Sequence, residues 1–245
     1  MARVRVRFAK LGKIRWTSHR DTARMWERAF RRLSLPLAYS NGFSPRPRVS
    51  FGLALPTGHE SVAEYLDIEL AGDAELDLAG LPERFSAVLP VGVDALAVAS
   101  IDARAPSLQE EVTSCSWRLA VVGADGNTAV SASAVGARVE HILSSDAVVV
   151  TRQRKGVDVT DDIRPAIKSL HVLGDDADGV WIGCDLFVRP RSLRPSELVA
   201  ALGPDLAEHR VRRLHQWIER DGAREEPLEV PSAATDAPHA LERAS

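Results

Sequence analysis

The chain has 245 residues, of which 45% are hydrophobic and 27% are charged, a composition typical of globular proteins with a full hydrophobic core. No apolar run approaches the roughly 18 residues of a membrane-spanning helix, and the charged N-terminal segment does not fit a signal peptide. We therefore expect a cytoplasmic protein. Cys115 and Cys184 belong to no CxxC pair or Cys/His cluster, so we expect no metal or other cofactor held by the chain itself.

Charge is distributed unevenly along the chain. Residues 1–48 contain 13 lysines and arginines but only two acidic residues, a net charge of +11, whereas the remaining 197 residues carry −14. Segregation of this kind indicates that one region meets a polyanion or an acidic partner. The alternative is that the arginines only form a solvated surface.

The first half of the sequence predicts six elements. Residues 3–8 alternate arginine with apolar residues at the period of a half-buried strand, which places Arg3, Arg5 and Arg7 on one side. Ser18 and Asp21 form an S-x-x-D capping box that begins a helix ending near Leu33. The helical period places an apolar stripe on one face of this helix and a row of arginines on the opposite face: Thr22, Met25, Trp26, Ala29 and Leu33 against Arg20, Arg24, Arg28 and Arg31. The further predicted elements are strands at 35–39, 61–70 and 91–101 and a helix at 76–89.

The order of these elements is β-α-β-β-α-β, the plan of the ferredoxin-like (split βαβ) fold. We assign it to a basic first domain, residues 1–104, and place the domain boundary in the Pro/Ser stretch at 105–107.

The second half repeats this pattern less regularly. The predicted elements are a strand at 117–122, a helix at 130–143, strands at 147–153, 163–172 and 180–188, and a helix at 193–203. Residues 210–219 fit either a strand or a short helix. We therefore predict an α+β protein of tandem ferredoxin-like units, with a degenerate second unit at 112–220 and a disordered Glu/Ala/Pro-rich tail at 221–245.

Between the predicted strands of the first unit lies a stiff basic segment, residues 40–61. Pro45 and Pro47 fix their own backbone angles and extend the residues before them, so Arg46 and Arg48 fall on one side. Arginine on a stiff backbone suits bidentate phosphate binding, and Trp16, Tyr39 or Phe43 could stack on an unpaired base. The predicted nucleic-acid-binding residues are Arg5, Arg20, Arg24, Arg28, Arg31, Tyr39, Phe43, Arg46 and Arg48. Alternatively, the prolines only shape a crossover while Phe43 and Phe51 fill the core.

Several motifs resemble one known family over roughly residues 1–203. They are Ser18-His19-x-Asp21; Tyr39-Ser40-x-Gly42-Phe43-x-Pro45-x-Pro47 with Ser50-Phe51; Ala54-Leu55-Pro56-x-Gly58-x-Glu60-Ser61 with Glu64 and Asp67; Asp162-Ile163-Arg164-Pro165 with Ile167; and Arg194-Pro195 with Glu197-Leu198. The chain resembles the radical SAM-linked protein family, also known as the domain of unknown function DUF2344. The resemblance implies a module that works with a separately encoded radical SAM protein. The chain departs from the family pattern at Arg20, where an aliphatic residue is common.

These observations favour a non-catalytic accessory module that binds structured RNA, tRNA or rRNA, and presents it to the radical SAM partner. One alternative is a protein-docking subunit whose basic face meets an acidic surface of that partner. Another is a metal-independent RNA-processing enzyme. In that case His19, which begins a helix, would act as the acid or base, with Asp21, Tyr39 and His59 as further candidates.

Overall fold

The computed structural model describes residues 2–72, 76–126, 128–154 and 156–228. Two compact units make up the chain: residues 1–112 together with the segment from 223 onward, and residues 113–222. Both units combine β-sheet with a few helices, so the protein is of the mixed α+β class, dominated by sheet.

The first unit combines an antiparallel sheet with short helices. Its elements are β1 (Arg3–Lys10), α1 (His19–Arg32), β2 (Val49–Phe51), β3 (Glu60–Glu69), α2 (Leu81–Val88), β4 (Val93–Ile101) and α3 (Leu108–Glu111), with a 3-10 turn at Gly12–Trp16. The strands lie side by side in the order β4–β1–β3–β2, and each neighbouring pair is antiparallel.

The core of this unit forms between α1 and one face of the sheet. Trp26, Ala29 and Phe30 on α1 are buried together with the apolar residues of β1. The rings of Phe8 and Trp26 meet edge to face, with centroids 5.0 Å apart. The apolar stripe of the helix is therefore buried as its 3.6-residue period predicts, and the opposite stripe is left for solvent.

The second unit has a related layout with one insertion. Its elements are β5 (Ser114–Gly123), α4 (Ala132–Ser144), β6 (Val149–Arg154), β7 (Val157–Asp162), β8 (Ile167–Asp176), β9 (Gly179–Phe187), α5 (Pro195–Leu202) and β10 (Leu206–Arg220). Strands β10–β5–β9–β8 adjoin in that order, while β6 and β7 pair only with each other in a separate hairpin. Apart from this hairpin, the last, first, third and second strands lie in the same spatial order as in the first unit.

The largest difference from the sequence prediction lies before β3. Residues 35–39 do not form a strand and contribute only isolated bridges, Leu37 to Leu70 and Tyr39 to Pro47. The strand β2 instead falls inside the segment that was predicted to be a loop. Proline has no N–H to donate to a ladder, so regular pairing begins only after Pro47. The predicted helix at 76–89 begins at Leu81, and residues 73–75 lie outside the described part.

In the second half, the predicted strand at 147–153 corresponds to β6, whose partner β7 the sequence analysis missed. The strand predicted at 163–172 begins at Ile167, because Pro165 lies in a short 3-10 turn, Arg164–Ala166. Residues 210–219, left open between strand and helix, belong to the long strand β10.

The predicted disordered tail is ordered where it is described. Asp221 and Gly222 form a turn, and β11 (Ala223–Glu225) follows. The carboxylate of Glu226 then accepts a hydrogen bond from Arg7, and the Leu228 carbonyl accepts another at 3.4 Å. The remainder of the predicted tail, residues 229–245, lies outside the described residues. Within the described ranges, no helix is long and apolar enough to cross a membrane.

Candidate nucleic-acid interface

The solvent side of α1 carries a row of arginines. Ser18 caps the helix by accepting a hydrogen bond from the backbone N–H of Asp21 at 3.2 Å, so the capping role predicted for Ser18 is confirmed. With this start fixed, the helical period that buries Trp26 and Phe30 exposes the residues on the other side. The exposed arginines of the row are Arg20, Arg24, Arg28 and Arg31.

Few acidic groups neutralise this row. Arg24 lies 3.4 Å from the Asp21 carboxylate, in a pair whose members are both about half exposed, and such a pair is weak in water. Arg28 donates from Nε to the Arg24 carbonyl at 3.2 Å. Among the described residues, Arg20 and Arg31 form no ion pair or side-chain hydrogen bond.

The proline segment supplies two more exposed arginines on a closed loop. Ser40 N–H donates to the Arg46 carbonyl at 2.9 Å, and Arg46 N–H donates to the Ser40 hydroxyl at 3.1 Å. Arg48 N–H donates to the Ala38 carbonyl at 2.8 Å, and the Arg48 guanidinium lies 3.0 Å from Glu69 in an exposed pair. Phe43 at the loop tip is fully exposed, so it does not fill the core. Phe51, in contrast, is partly buried against it.

We call Arg20, Arg24, Arg28, Arg31, Arg46 and Arg48 the arginine face. A groove of about 340 Å³ lies beside it, between the second half of α1 and the proline loop. Its lining mixes polar and apolar residues: Pro45 and Pro47 contribute from the proline loop, and Tyr39 has half of its surface exposed. The complete lining is Glu27, Phe30, Arg31, Ser34, Leu35, Leu37, Tyr39, Pro45 and Pro47.

Arg5 does not belong to this surface, contrary to the sequence prediction. It is 3% exposed, and its Nε lies 2.7 Å from the Asp67 carboxylate, which also binds Arg3 at 2.7 Å. The cause is the register of β1 and β3, which sets Arg5 directly opposite Asp67. Cross-strand neighbours of opposite charge attract, so the arginines of β1 bind acidic groups of their own unit.

The N-cap of α1 allows a prediction with a defined pH dependence. The Ser18 hydroxyl donates to the Asp21 carboxylate at 2.7 Å, and this bond, with help from Arg24, lowers the pKa of Asp21. A carboxylate whose pKa is lowered in the folded state stabilises the fold at neutral pH. This stabilisation is lost when the pH falls through that lowered pKa. Ser18→Ala should lower the free energy of unfolding by about 1 kcal/mol through the lost cap and return the pKa of Asp21 toward its ordinary value. Urea unfolding and NMR titration measure these effects. Ser18→Asn, another good cap, should keep most of the stability.

The enzyme candidates are not brought together into one site. His19 is exposed, and its ring centroid lies 5.3 Å from that of Phe51. It lines a small pocket of about 20 Å³, which has room for about one water molecule. Asp21 is engaged with Ser18, His59 is buried, and Tyr39 lines the groove, which shares no lining residue with the His19 pocket.

Polar residues that the sequence analysis did not select lie beneath His19. Lys10, Glu64 and Tyr65 line the same pocket and are buried. Burial lowers the pKa of Lys10 while Glu64 opposes that shift, and burial raises the pKa of the Tyr65 phenol. The Lys10 ammonium donates to the Thr17 carbonyl at 2.8 Å, which ties the segment before α1 to β1.

Among the described residues, no cluster of three or more His, Cys, Asp or Glu side chains is placed to hold a metal ion.

The Asp162-Ile-Arg-Pro motif forms a chain corner: the Asp162 carboxylate accepts hydrogen bonds from the N–H groups of Arg164 at 2.9 Å and Val148 at 2.8 Å. These bonds lower the pKa of Asp162.

By fold and surface, the molecule is a two-unit α+β protein with an arginine-rich face on its first unit. The model of one family, "Uncharacterized protein conserved in bacteria (DUF2344)", matches residues 3–192, and the chain belongs to that family. A search of curated proteins found no match. A chain in the crystal structure of a Cbf5-Nop10-Gar1 complex is similar in fold, with a TM-score of 0.50 and 9% identity, over 87% of the present chain. The match spans 48% of that chain, and at this identity it concerns the fold alone.

Proposed function

We propose that this protein is a non-catalytic accessory module that binds RNA through the arginine face and works with a separately encoded radical SAM enzyme. The observation that carries the proposal is the number of exposed, weakly paired arginines gathered on α1 and the proline loop. Phosphate groups are the ligands that such a surface favours, because guanidinium groups bind them bidentately.

The arginines of β1, which are buried or partly buried, pair within their own unit and narrow the candidates for RNA binding to the arginine face. Arg3, Arg5 and Arg7 bind carboxylates of their own unit, so they contribute little to an external potential. Among the described residues, the arginine face forms ion pairs with two acidic residues, Asp21 and Glu69, and both pairs are solvent-exposed. The excess positive charge of residues 1–48 is therefore concentrated on α1 and the proline loop, where it can attract a polyanion.

We further propose that the two units are tandem ferredoxin-like domains. Support comes from the strand order, which is last–first–third–second in both units once the β6–β7 hairpin is set aside. The proposal of a radical SAM partner rests on the motif resemblance. Several of those motifs lie within residues 3–192, the part of the chain that the family model matches. The chain would supply RNA binding, and the partner would supply any radical chemistry.

RNA binding is tested by fluorescence anisotropy with labelled tRNA, single-stranded RNA and duplex DNA between 50 and 200 mM salt. If about four arginines meet phosphates of single-stranded RNA, affinity should fall roughly fiftyfold over this range. We expect tight binding with a preference for RNA. Absence of binding at the lowest salt would contradict the proposal and would favour the protein-docking alternative, to be followed by co-purification with the radical SAM protein.

The same samples separate binding from catalysis. RNA recovered after prolonged incubation should be intact when analysed on a denaturing gel. RNA that is cleaved by the native chain but spared by His19→Ala would overturn the non-catalytic assignment in favour of the enzyme alternative.

A further inference from the structure

The groove beside the arginine face combines buried apolar side chains with accessible polar groups. Phe30 and Leu37 are almost fully buried beneath it, and Tyr39 offers an exposed aromatic ring at the rim. Its volume of about 340 Å³ lies at the lower end of the range for small-molecule pockets. A cavity of this size suits one flat ring system with its sugar, and it excludes a duplex.

The walls of the groove are held in place without a ligand. The proline loop is closed by the backbone bond of 2.9 Å from Ser40 to Arg46 and by the Tyr39–Pro47 bridge, and the prolines fix their own φ angles. On the other side, Leu35 N–H donates to the Phe30 carbonyl at 3.2 Å, which secures the end of α1. An incoming ring therefore meets an ordered site, and little conformational entropy is lost on binding.

Glu27 is the feature that specifies the ligand. It is an exposed carboxylate in the groove lining, one turn from Arg31 and close in sequence to Arg24 and Arg28. In the part of the chain that the structure describes, it forms no ion pair or hydrogen bond. A free carboxylate on a surface that meets phosphates opposes binding, unless the ligand also presents hydrogen-bond donors that the carboxylate can accept.

We propose that the groove binds a single unpaired guanine of an RNA strand; this inference rests on the proposed RNA-binding function. Guanine presents two adjacent donors, N1–H and the N2 amino group, which match the two oxygens of the Glu27 carboxylate. Its ring stacks at Tyr39, as unstacked bases do on aromatic side chains. Arg31 contacts the adjoining phosphate, so that phosphate contacts position the strand and Glu27 selects the base.

The test compares labelled single-stranded RNAs of equal length: an oligouridylate, the same strand with one central guanosine, and the same strand with inosine in place of the guanosine. Inosine lacks the N2 amino group. The guanosine strand should bind about ten- to a hundredfold more tightly than the oligouridylate, with the inosine strand between them. Glu27→Gln and Tyr39→Ala should each bring the ratio of the guanosine-strand affinity to the oligouridylate affinity close to one. Two control variants should keep this ratio: Tyr39→Phe, which retains the aromatic ring, and Glu83→Gln, which changes an exposed carboxylate on α2.

Two kinds of failure are distinguishable. If none of the three strands binds, the proposed RNA-binding function itself is wrong. If all three bind with equal affinity, or if the guanosine preference survives both Glu27→Gln and Tyr39→Ala, the arginine face binds RNA but the groove does not read a base. Binding of the oligouridylate also shows whether the variant is folded, because Glu27→Gln should leave the affinity of the protein for this strand unchanged or slightly higher.

Discussion

Reversal of two charges on the arginine face should nearly eliminate RNA binding. Arg24→Glu with Arg28→Glu removes two exposed cations from adjacent turns of α1 and places two carboxylates where phosphates would lie. We expect affinity to fall on the order of a hundredfold at low salt and the slope of log affinity against log salt to decrease by about two. Anisotropy across the salt series measures both effects.

The matched control reverses two arginines outside the face. Arg84 on α2 and Arg104 after β4 are also exposed, so Arg84→Glu with Arg104→Glu changes the net charge by the same amount. This variant should lose little affinity and keep the salt slope. Equal losses in the two double variants would show that only net charge matters and would contradict a defined face. Addition of Arg46→Glu to the first pair should deepen the loss further, because the proline loop belongs to the same surface.

Removal of the Asp67 carboxylate should cost more stability than any surface change. Asp67 is 2% exposed and binds both Arg3 and Arg5 at 2.7 Å. Asp67→Ala leaves the Arg5 guanidinium buried without its principal counter-charge. Breaking a buried pair in this way costs about 3–5 kcal/mol, a large part of the 5–15 kcal/mol typical of a folded domain. Urea unfolding followed by tryptophan fluorescence measures the loss.

A neighbouring residue on the same strand provides the control. Glu69 also lies on β3, but its pair with Arg48 is exposed, so Glu69→Ala should cost less than about 1 kcal/mol. Replacement of both buried partners, Arg5→Met with Asp67→Leu, should recover part of the stability lost in Asp67→Ala, because the buried Arg5 guanidinium is then gone. The recovery is incomplete because Arg3 and Glu111 each lose a partner. A loss below 1 kcal/mol for Asp67→Ala would show that the Arg5 side chain reaches solvent.

Individual elements were predictable from the sequence where interactions between neighbouring residues dominate. The helix at Ser18 has a cap and a strong 3.6-residue period, and β1 has a strict period of two, so both were predicted within a few residues. Signals of this kind act between neighbours in the chain, and tertiary contacts do not override them. The prediction was wrong at residues 35–39, where strand-forming residues adjoin prolines, and β7 was missed because its sequence is short and acidic.

For the candidate site, the sequence by itself determined which residues carry positive charge and that α1 presents its arginines opposite its apolar stripe. It could not determine which arginines stay exposed. Arg5 and Arg24 are indistinguishable by residue type, yet the β1–β3 register buries one against Asp67 while the helix turns the other toward solvent. The groove of Glu27, Arg31 and Tyr39 likewise arises only from tertiary structure. Burial and pairing depend on residues distant in the chain, and those contacts are settled when the sheet and helix pack together.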